Sequence, residues 1–292
     1  MNQREFLASP GKRLRLSEHD PAFTGKFSGR TEAEAKIRRD CDGLAKQQDM
    51  LLAEGTRSLL LIFQAMDGAG KDGTIKHVMS GVDPQGCKVA LFEKPAAKEL
   101  KHDYLWRFVH QLPERGQIGI FNRSYYEEVL STRVHPERLK EQHLPAPLRN
   151  SKRIWRQRFA QINDFERYLA ENGILVMKFF LHLSKEKQRE RLLERLDEPE
   201  KKWKFSMDDV EERGHWDDYM RAFEDAINHT STERAPWYII PADNRWFSSL
   251  AVADLVLSKL KSLKLRYPQT TKQTAKELTE ARKLLERDAK KR

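Results

Sequence analysis

Glycines, aspartates and a lysine follow a short apolar segment near residue 60, in a pattern that suits phosphate chemistry. Residues 59–63 are all apolar, as in a strand that is covered on both faces. The next segment contains Gly68, Gly70 and Gly73, and glycines let backbone N–H groups turn toward an anion. Lys71 adds a mobile cation. The pattern predicts a phosphate-binding strand, loop and helix.

The match to the P-loop pattern GxxxxGK[ST] is imperfect at two positions. Ala65 replaces the first glycine, and Asp72 replaces the Ser or Thr that normally holds Mg²⁺. Asp67 offers a carboxylate oxygen inside the loop as a substitute ligand, since Mg²⁺ prefers such oxygens. Small residues also occur in ordinary strand-to-helix turns, so the loop alone leaves that alternative open.

A second polar cluster follows another predicted strand, at residues 118–121. Asn122 takes the position at which a P-loop protein usually carries the aspartate of its second motif. An amide oxygen still ligates Mg²⁺, directly or through water, and Glu127 and Glu128 supply negative charge nearby. Arg123 is placed to bind phosphate oxygens. The alternative is an exposed polar helix start.

The composition favours a protein that attracts polyanions. The chain has 292 residues and a net charge of +10, with 54 Lys and Arg against 44 Asp and Glu. Cys41 and Cys87 are too few for a disulfide framework or a zinc site, which predicts free thiols in a reducing compartment. The sequence contains neither a signal peptide nor a membrane span, so a cytoplasmic location is predicted, without a membrane partner.

Apolar strands and helices alternate along the rest of the chain, which predicts one parallel sheet covered on both faces. Residues 1–30 are expected to form an irregular basic arm, either solvated or in contact with an anion. A capping box is expected at Thr31 and Glu34. Residues 31–268 form the predicted domain, and residues 269–292 a basic helical tail. Within the domain, helices are expected at 31–53, 98–109, 151–171, 184–196, 210–228 and 250–263, and strands at 59–63, 87–92, 118–121, 174–183 and 236–241.

The helix predicted at residues 184–196 is strongly basic, and two interpretations of it are open. Interleaved glutamates favour a solvated face with ion pairs between successive turns. In a phosphoryl-transfer enzyme the helix would instead belong to a lid, around residues 184–213, that closes over the transferred phosphate. Arg189 and Arg191 are the candidates for that contact.

Together these motifs resemble the polyphosphate kinase 2 family, and most closely its class III members. The resemblance extends over residues 13–268 and depends on the segments FQAMDGAGKDGT, HVMSG, DPQG, HDYLWR and FNRSYYE, with further matches at residues 178–182 and 235–243. It implies an α/β P-loop kinase fold, in three α/β/α layers with a parallel central sheet and a helical lid. It also implies Mg²⁺ dependence, with Mn²⁺ as a substitute, and a homodimer or homotetramer.

The activity that the resemblance implies is transfer of the terminal phosphate of inorganic polyphosphate to AMP and ADP, giving ADP and ATP. Asp67 would hold the metal with support from Asn122 and Glu127, while Lys71 and Arg123 would stabilise the transition state. The candidates for phosphate binding are Gly68, Ala69, Gly70, Lys71, Asp72, Gly73, Lys94, Arg123, Arg133, Arg189 and Arg191. The candidates for nucleotide binding are Lys94, Asp103, Trp106, Arg107 and Glu127.

The chain departs from the family pattern at two places. Gly68 stands where relatives usually have alanine, which we expect to loosen the loop. Ser131 and Thr132 replace an apolar pair, which we expect to shift Arg133.

Two other functions are alternatives. An ATP-dependent nucleotide or small-molecule kinase would share the fold but use a different donor. A nucleic-acid-binding protein would use the basic surface, but the sequence has no recognisable nucleic-acid motif, and we expect no nucleic-acid partner.

Overall fold

The computed structural model describes residues 1–149 and 153–289. Within these ranges, one central sheet contains six strands, β1 (Leu7–Ala8), β2 (Ser58–Gln64), β3 (Cys87–Leu91), β4 (Ile118–Asn122), β5 (Ile174–His182) and β6 (Trp237–Pro241). The strands lie in the order β1-β6-β5-β2-β4-β3, and only the pair β1 and β6 is antiparallel. The predicted parallel sheet is confirmed for β2 to β6, and β1 adds an antiparallel edge.

Helices cover both faces of this sheet. The α-helices of the described ranges are α1 (Arg30–Glu54), α2 (Lys71–Val78), α3 (Trp106–Val109), α4 (Ser131–Val134), α5 (Ala146–Arg149), α6 (Ile154–Glu171), α7 (Lys185–Asp197), α8 (Met207–Gly214), α9 (Trp216–Thr230), α10 (Arg245–Ser262) and α11 (Lys272–Ala289). Short 3₁₀ helices lie at Gln3–Glu5, Leu16–Glu18, Pro84–Gly86, Glu99–Lys101, Tyr125–Glu128, Pro136–Lys140 and Pro199–Lys204.

The alternation of side chains along β2 divides the core into two layers. Leu59, Leu61 and Phe63 pack against α1, α2 and α10, whereas Leu60 and Ile62 face α6 and α9. Every residue of β2 is buried, as the apolar segment predicted. The three-layer α/β/α arrangement is therefore confirmed, with β2 at the centre and its neighbours β4 and β5 on either side.

The capping box predicted at Thr31 and Glu34 is wrong. Helix α1 begins one residue earlier, with Gly29 as its N-cap. The carboxylate of Glu32 accepts hydrogen bonds from the backbone N–H and the hydroxyl of Ser28, both at 2.9 Å. Glu32 thus ties the first turn to the residue before the N-cap, but no side chain of the described residues caps the helix itself.

Two predicted helices are each divided by a turn. In the segment predicted as one helix at residues 98–109, the side chain of Asp103 accepts a hydrogen bond from the backbone N–H of Leu105, which competes with helical bonding. The helix predicted at 210–228 is divided into α8 and α9 at His215, directly after Gly214. Helix α6 begins at Ile154, and residues 150–152, which include part of the prediction there, lie outside the described ranges.

The N-terminal arm is anchored to the edge of the sheet, while its basic residues Lys12, Arg13 and Arg15 are exposed, as the solvated interpretation expects. Leu7 and Ala8 pair with β6, and the backbone N–H groups of Leu14 and Leu16 donate to side chains of α9. Phe6 is only 2% exposed. The arm thus completes the edge of the sheet.

The tail contains the predicted helix, α11, whose leucines are exposed. Residues 290–292 of the predicted tail lie outside the described ranges. In the part of the chain that the structure describes, no helix combines the length and apolar character needed to cross a membrane.

Candidate active site

The glycine-rich loop between β2 and α2 has the backbone geometry of a phosphate cradle. Gly68 and Gly70 have φ angles of +84° and +96°, in the left-handed region that glycine adopts at little cost. Gly70 is the N-cap of α2, so the positive end of this helix faces the loop. Gly73 lies inside α2, and the space beside it is open to solvent. A side chain at position 68 would be strained, so glycine relieves strain there; a looser loop stays a prediction.

Asp67 lies between two cations inside this loop. Its Oδ1 accepts a hydrogen bond from Nη2 of Arg123 at 2.8 Å and lies 3.7 Å from Nζ of Lys71. Lys71 is buried and also donates to the carbonyl of Ala65 at 3.0 Å. Burial alone raises the pKa of Asp67, but Lys71 and Arg123 outweigh it, so the pKa lies below its ordinary value. The carboxylate is therefore held in its charged form.

Arg123 reaches Asp67 through an unusual backbone conformation. It has a φ of +65°, and its backbone N–H donates to the carbonyl of Phe63 on the neighbouring strand. Burial lowers the pKa of Arg123, whereas Glu127 and Asp67 raise it, and the net pKa is above the ordinary value. Glu127 is half-buried and lies close enough to raise the pKa of Lys71 as well, although burial of that amine lowers it overall. The structure thus brings Asp67, Lys71, Arg123 and Glu127 into one electrostatic cluster.

The side chain of Asn122 offers a free oxygen beside this cluster. Its Nδ2 donates to Oδ1 of Asp72 at 2.7 Å, while its own Oδ1 is buried and has no hydrogen-bond partner among the described residues. An orphaned amide oxygen beside a carboxylate suits Mg²⁺, which binds through few protein oxygens and keeps several waters. No group of three or more His, Cys, Asp and Glu side chains converges within residues 1–149 and 153–289. The residues present therefore fit a hydrated Mg²⁺ ion and not a closed protein cage.

Helix α7 lies directly on the loop. Nε2 of Gln188 donates to the carbonyl of Asp67 at 2.8 Å. The guanidinium of Arg191 donates to four carbonyls, those of Gly68, Ala69, Ala242 and Asp243, at 2.7 to 3.0 Å. Burial and the nearby Arg245 lower the pKa of Arg191 to about 10. The interpretation of α7 as a solvated face is wrong for these two residues, although Arg189 is exposed. Closure of α7 over a phosphate stays a prediction.

Asp209 comes to the loop from α8. It pairs with Arg195 of α7, and burial together with the charge of Asp67 raises its pKa. Neither residue was predicted from the sequence to be a site residue. Arg195 could have been found, because it follows Arg191 by four residues and so shares its helix face. Asp209 has no local signal, since only the turn between α7 and α8 brings it to the loop.

The remaining candidate residues pair with other side chains of the protein or cap a turn. Nζ of Lys94 lies 3.0 Å from Oδ2 of Asp208, and Arg133 pairs with Asp225. The ring of Trp106 stacks on His102 with centroids 4.0 Å apart, and Nε of Arg107 lies 3.3 Å from Glu99. Asp103 caps the turn before α3. Phosphate or nucleotide contacts by these residues stay predictions.

A cleft of about 900 Å³ opens in front of the loop. Residues of helices α1, α2, α7 and α10 line it. The basic side chains of its lining include Arg30, Arg38, Lys71, Arg195, Lys201 and Arg245. Together with Arg191, these seven basic side chains outnumber five acidic ones, Glu34, Asp42, Asp67, Asp72 and Glu194. The net positive charge of the lining suits an extended anion.

The sequence profile of polyphosphate kinase 2 matches residues 28–268, most of the chain. The chain belongs to the polyphosphate kinase 2 family. The family that the motifs of the loop and the second cluster indicated is therefore confirmed, and the match ends at Pro268, where the resemblance was expected to end.

Two relatives in the polyphosphate kinase 2 family are similar to this chain over nearly their full length. An ADP-polyphosphate phosphotransferase of Rhodopseudomonas palustris is 45% identical over 282 residues, which cover 97% of this chain and 98% of the relative. An AMP/ADP-polyphosphate phosphotransferase of Meiothermus ruber is 45% identical over 270 residues, covering 91% and 96%. The crystal structure of polyphosphate kinase 2 from Arthrobacter aurescens is 38% identical, with a TM-score of 0.86 over 95% of each chain.

Proposed function

We propose that this protein is a polyphosphate-dependent nucleotide kinase that transfers the terminal phosphate of inorganic polyphosphate to AMP and to ADP, giving ADP and ATP. The observation that carries the proposal is the near full-length similarity to relatives named as ADP- and AMP/ADP-polyphosphate phosphotransferases. The basic cleft that ends at the loop supports it, because polyphosphate is an extended polyanion. The similarity to a relative that is named for both acceptors favours a two-step conversion of AMP to ATP.

In the proposed reaction, the polyphosphate chain lies in the cleft with its terminal phosphate at the loop. Backbone N–H groups at the start of α2 and the ammonium of Lys71 bind the phosphate oxygens. The guanidinium of Arg123, oriented by Asp67, stabilises the charge that develops on the transferred phosphoryl group. Phosphoryl transfer needs little covalent assistance, so positioning and charge neutralisation supply most of the catalysis.

We infer that Asp67, Asn122 and Glu127 hold a divalent cation, Mg²⁺ or, as a substitute, Mn²⁺. When bound, the ion neutralises charge on the phosphate oxygens. The buried, unpartnered Oδ1 of Asn122 supports this inference, as does the low pKa of Asp67, which keeps that carboxylate ionised. Arg195 and Asp209 lie in the same cluster, and we add Arg195 to the proposed phosphate-binding residues.

We further propose that the enzyme acts in the cytoplasm as a homodimer or homotetramer. The two cysteines are free thiols, which agrees with a reducing compartment. Size-exclusion chromatography with light scattering measures the subunit count directly.

The test of the proposed function is an incubation of the protein with AMP, long-chain polyphosphate and Mg²⁺, without ATP, followed by chromatography of the nucleotides. The proposal expects ADP first and ATP later. Formation of ADP alone would restrict the activity to AMP phosphorylation. Absence of product, together with phosphorylation of AMP when ATP is the donor, would contradict the proposal and indicate an ATP-dependent kinase.

A further inference from the structure

The turn that carries Glu127 is anchored on its inner side by three of its four residues. Tyr125 and Tyr126 are fully buried, and Glu128 is buried against Arg158, whose Nε donates to it at 2.9 Å. Glu127 is the one residue of this turn that is half-buried rather than buried, and its charge raises the pKa of both Lys71 and Arg123. The 3₁₀ geometry of the turn therefore separates anchoring side chains from the one that faces the candidate active site.

Both tyrosine hydroxyls converge on one buried carboxylate. The hydroxyls of Tyr125 and Tyr126 each donate to Oε1 of Glu166 on α6, at 2.9 Å. The other oxygen, Oε2, accepts from Nζ of Lys178 on β5 at 2.6 Å. Glu166 and Lys178 are 1% and 0% exposed, so this ion pair is closed to solvent. A single carboxylate thus connects α6, β5 and the turn after β4.

The Lys178 ammonium uses all three of its donors. Besides Glu166, it donates to the hydroxyl of Tyr126 at 2.9 Å and to the carbonyl of Thr230 at 2.7 Å. These three partners have one arrangement that satisfies the ammonium, because rotating any partner side chain away would leave a buried charge without a hydrogen bond. The network therefore fixes the orientation of Tyr126 as well as its depth in the core.

Stability alone does not explain such a pair. Burying two charges costs several kcal/mol in desolvation, and well-packed apolar residues in their place are often as stable or more so. The network lies close to a strained residue, since Arg123 has a φ of +65° and lies two residues before the turn, whose N-cap is Ser124. Such strain persists only where the surrounding structure determines the conformation, and it is concentrated at functional sites.

We propose that Glu166 and Lys178, acting through the hydroxyls of Tyr125 and Tyr126, are positioning residues that hold Arg123 and Glu127 in the geometry needed for phosphoryl transfer. The proposal rests on the proposed function, because the reaction that it concerns is transfer from polyphosphate. The network touches neither substrate nor metal. Its effect is to keep the guanidinium of Arg123 on Asp67 and the carboxylate of Glu127 toward Lys71.

The tyrosine hydroxyls give a cleaner test than the charged pair, because changing Glu166 or Lys178 alone would leave the other charge buried and unpaired. Tyr125→Phe and Tyr126→Phe each remove one hydroxyl and keep the ring. We expect the kcat of the Tyr126→Phe enzyme to fall about tenfold or more, with a smaller change in the KM for AMP, since small displacements of catalytic groups are costly. In an Arg123→Lys background the same substitution should have a much smaller effect, because the group that the hydroxyl positions is already altered.

Ile162→Val is the matched control. Ile162 is fully buried on α6, one turn before Glu166, so this substitution lowers stability in the same layer without touching the network. It should lower the melting temperature and leave kcat unchanged. The proposal would be overturned if both tyrosine variants kept full kcat. It would also be overturned if Tyr126→Phe lowered kcat equally in the wild type and in the Arg123→Lys background.

Amide hydrogen exchange supplies a readout that does not depend on turnover. Exchange in residues 123–129 should be faster in Tyr126→Phe than in the wild type, and unchanged in Ile162→Val. If the wild type fails to use polyphosphate, the proposed function fails, and the exchange data still report on the network. If the wild type is active and exchange in this segment is the same in all variants, the positioning proposal is wrong.

Discussion

Asp67 provides the negative charge that orients the two cations of the candidate site. Its carboxylate contacts Arg123 directly and lies near Lys71. Asp67→Asn keeps the shape and removes the charge, which weakens both the contact to Arg123 and the proposed metal site. We expect kcat to fall about 100-fold or more, as when a major electrostatic contact in a transition state is lost. Steady-state assays with polyphosphate and AMP over a range of Mg²⁺ concentrations measure it.

Asp164→Asn is the control for this substitution. Asp164 is 70% exposed on α6 and pairs with Arg167 in the same helix, so its loss should leave kcat within twofold. Near-full activity of Asp67→Asn at saturating Mg²⁺ would show that the metal and Arg123 do not depend on this carboxylate.

His182, at the end of β5, makes stability depend on pH. Burial, and to a smaller extent the charge of His19, lowers its pKa from 6.5 to about 4. At pH values between about 4 and 6.5 the unfolded chain binds more protons at His182 than the folded chain does. The stability gained from keeping His182 neutral is therefore complete above about pH 6.5 and is lost as the pH falls. We expect the free energy of unfolding to decrease by about 2 kcal/mol more in the wild type than in His182→Gln between pH 7 and pH 5. Urea unfolding at both pH values measures this free energy. Equal decreases in the wild type and in His182→Gln would show that His182 is not the source of the pH dependence.

At the scale of elements, Arg191 connects helix α7 to the loop. Its four hydrogen bonds tie the carbonyls of Gly68 and Ala69 to those that follow β6. Lysine keeps the charge but cannot reproduce the fork of the guanidinium. We expect Arg191→Lys to lower the free energy of unfolding by about 2 kcal/mol or more and to reduce kcat.

Arg221→Lys is the matched control for that prediction. Arg221 is 70% exposed and pairs with Asp218 on the surface of α9, so the same substitution should leave both stability and activity unchanged. An equally small effect of Arg191→Lys would mean that α7 is held on the loop by other contacts.

The elements differ in how well the sequence predicts them, for identifiable reasons. Continuous apolar segments predicted β2, β4 and β5 closely, because a strand buried on both faces requires that composition. The division of the helix predicted at residues 98–109 was missed because it depends on a single hydrogen bond to the side chain of Asp103. The anchoring of the N-terminal arm was missed because its partners, Asn228 and Glu224, lie more than 200 residues away in the sequence.

The same contrast holds for the candidate site. Asp67, Lys71, Asn122 and Arg123 were found because strand ends place them at one edge of the sheet, as sequence patterns reveal. The contact between Asn122 and Asp72 and the clamp formed by Arg191 depend on rotamers and on long-range packing. No local pattern in the sequence contains that information.

At the scale of the whole molecule, the net charge is +10, and the cleft in front of the loop has more basic than acidic side chains. If polyphosphate binds there, binding releases counterions, and its affinity falls steeply with salt. We expect the KM for long-chain polyphosphate to rise about tenfold between about 50 and about 200 mM KCl, and the KM for AMP to change much less. A KM for polyphosphate that is insensitive to salt would exclude the cleft as its binding site.

The most direct test of the central claim follows the phosphate itself. Purified protein is incubated with radiolabelled long-chain polyphosphate, unlabelled AMP and Mg²⁺, and the labelled nucleotides are separated after a single turnover. We predict that the label enters the β-phosphate of ADP in the wild type, and that Asp67→Asn transfers it at least about 100-fold more slowly. Label that stays in polyphosphate while the wild type phosphorylates AMP from added ATP would contradict the account.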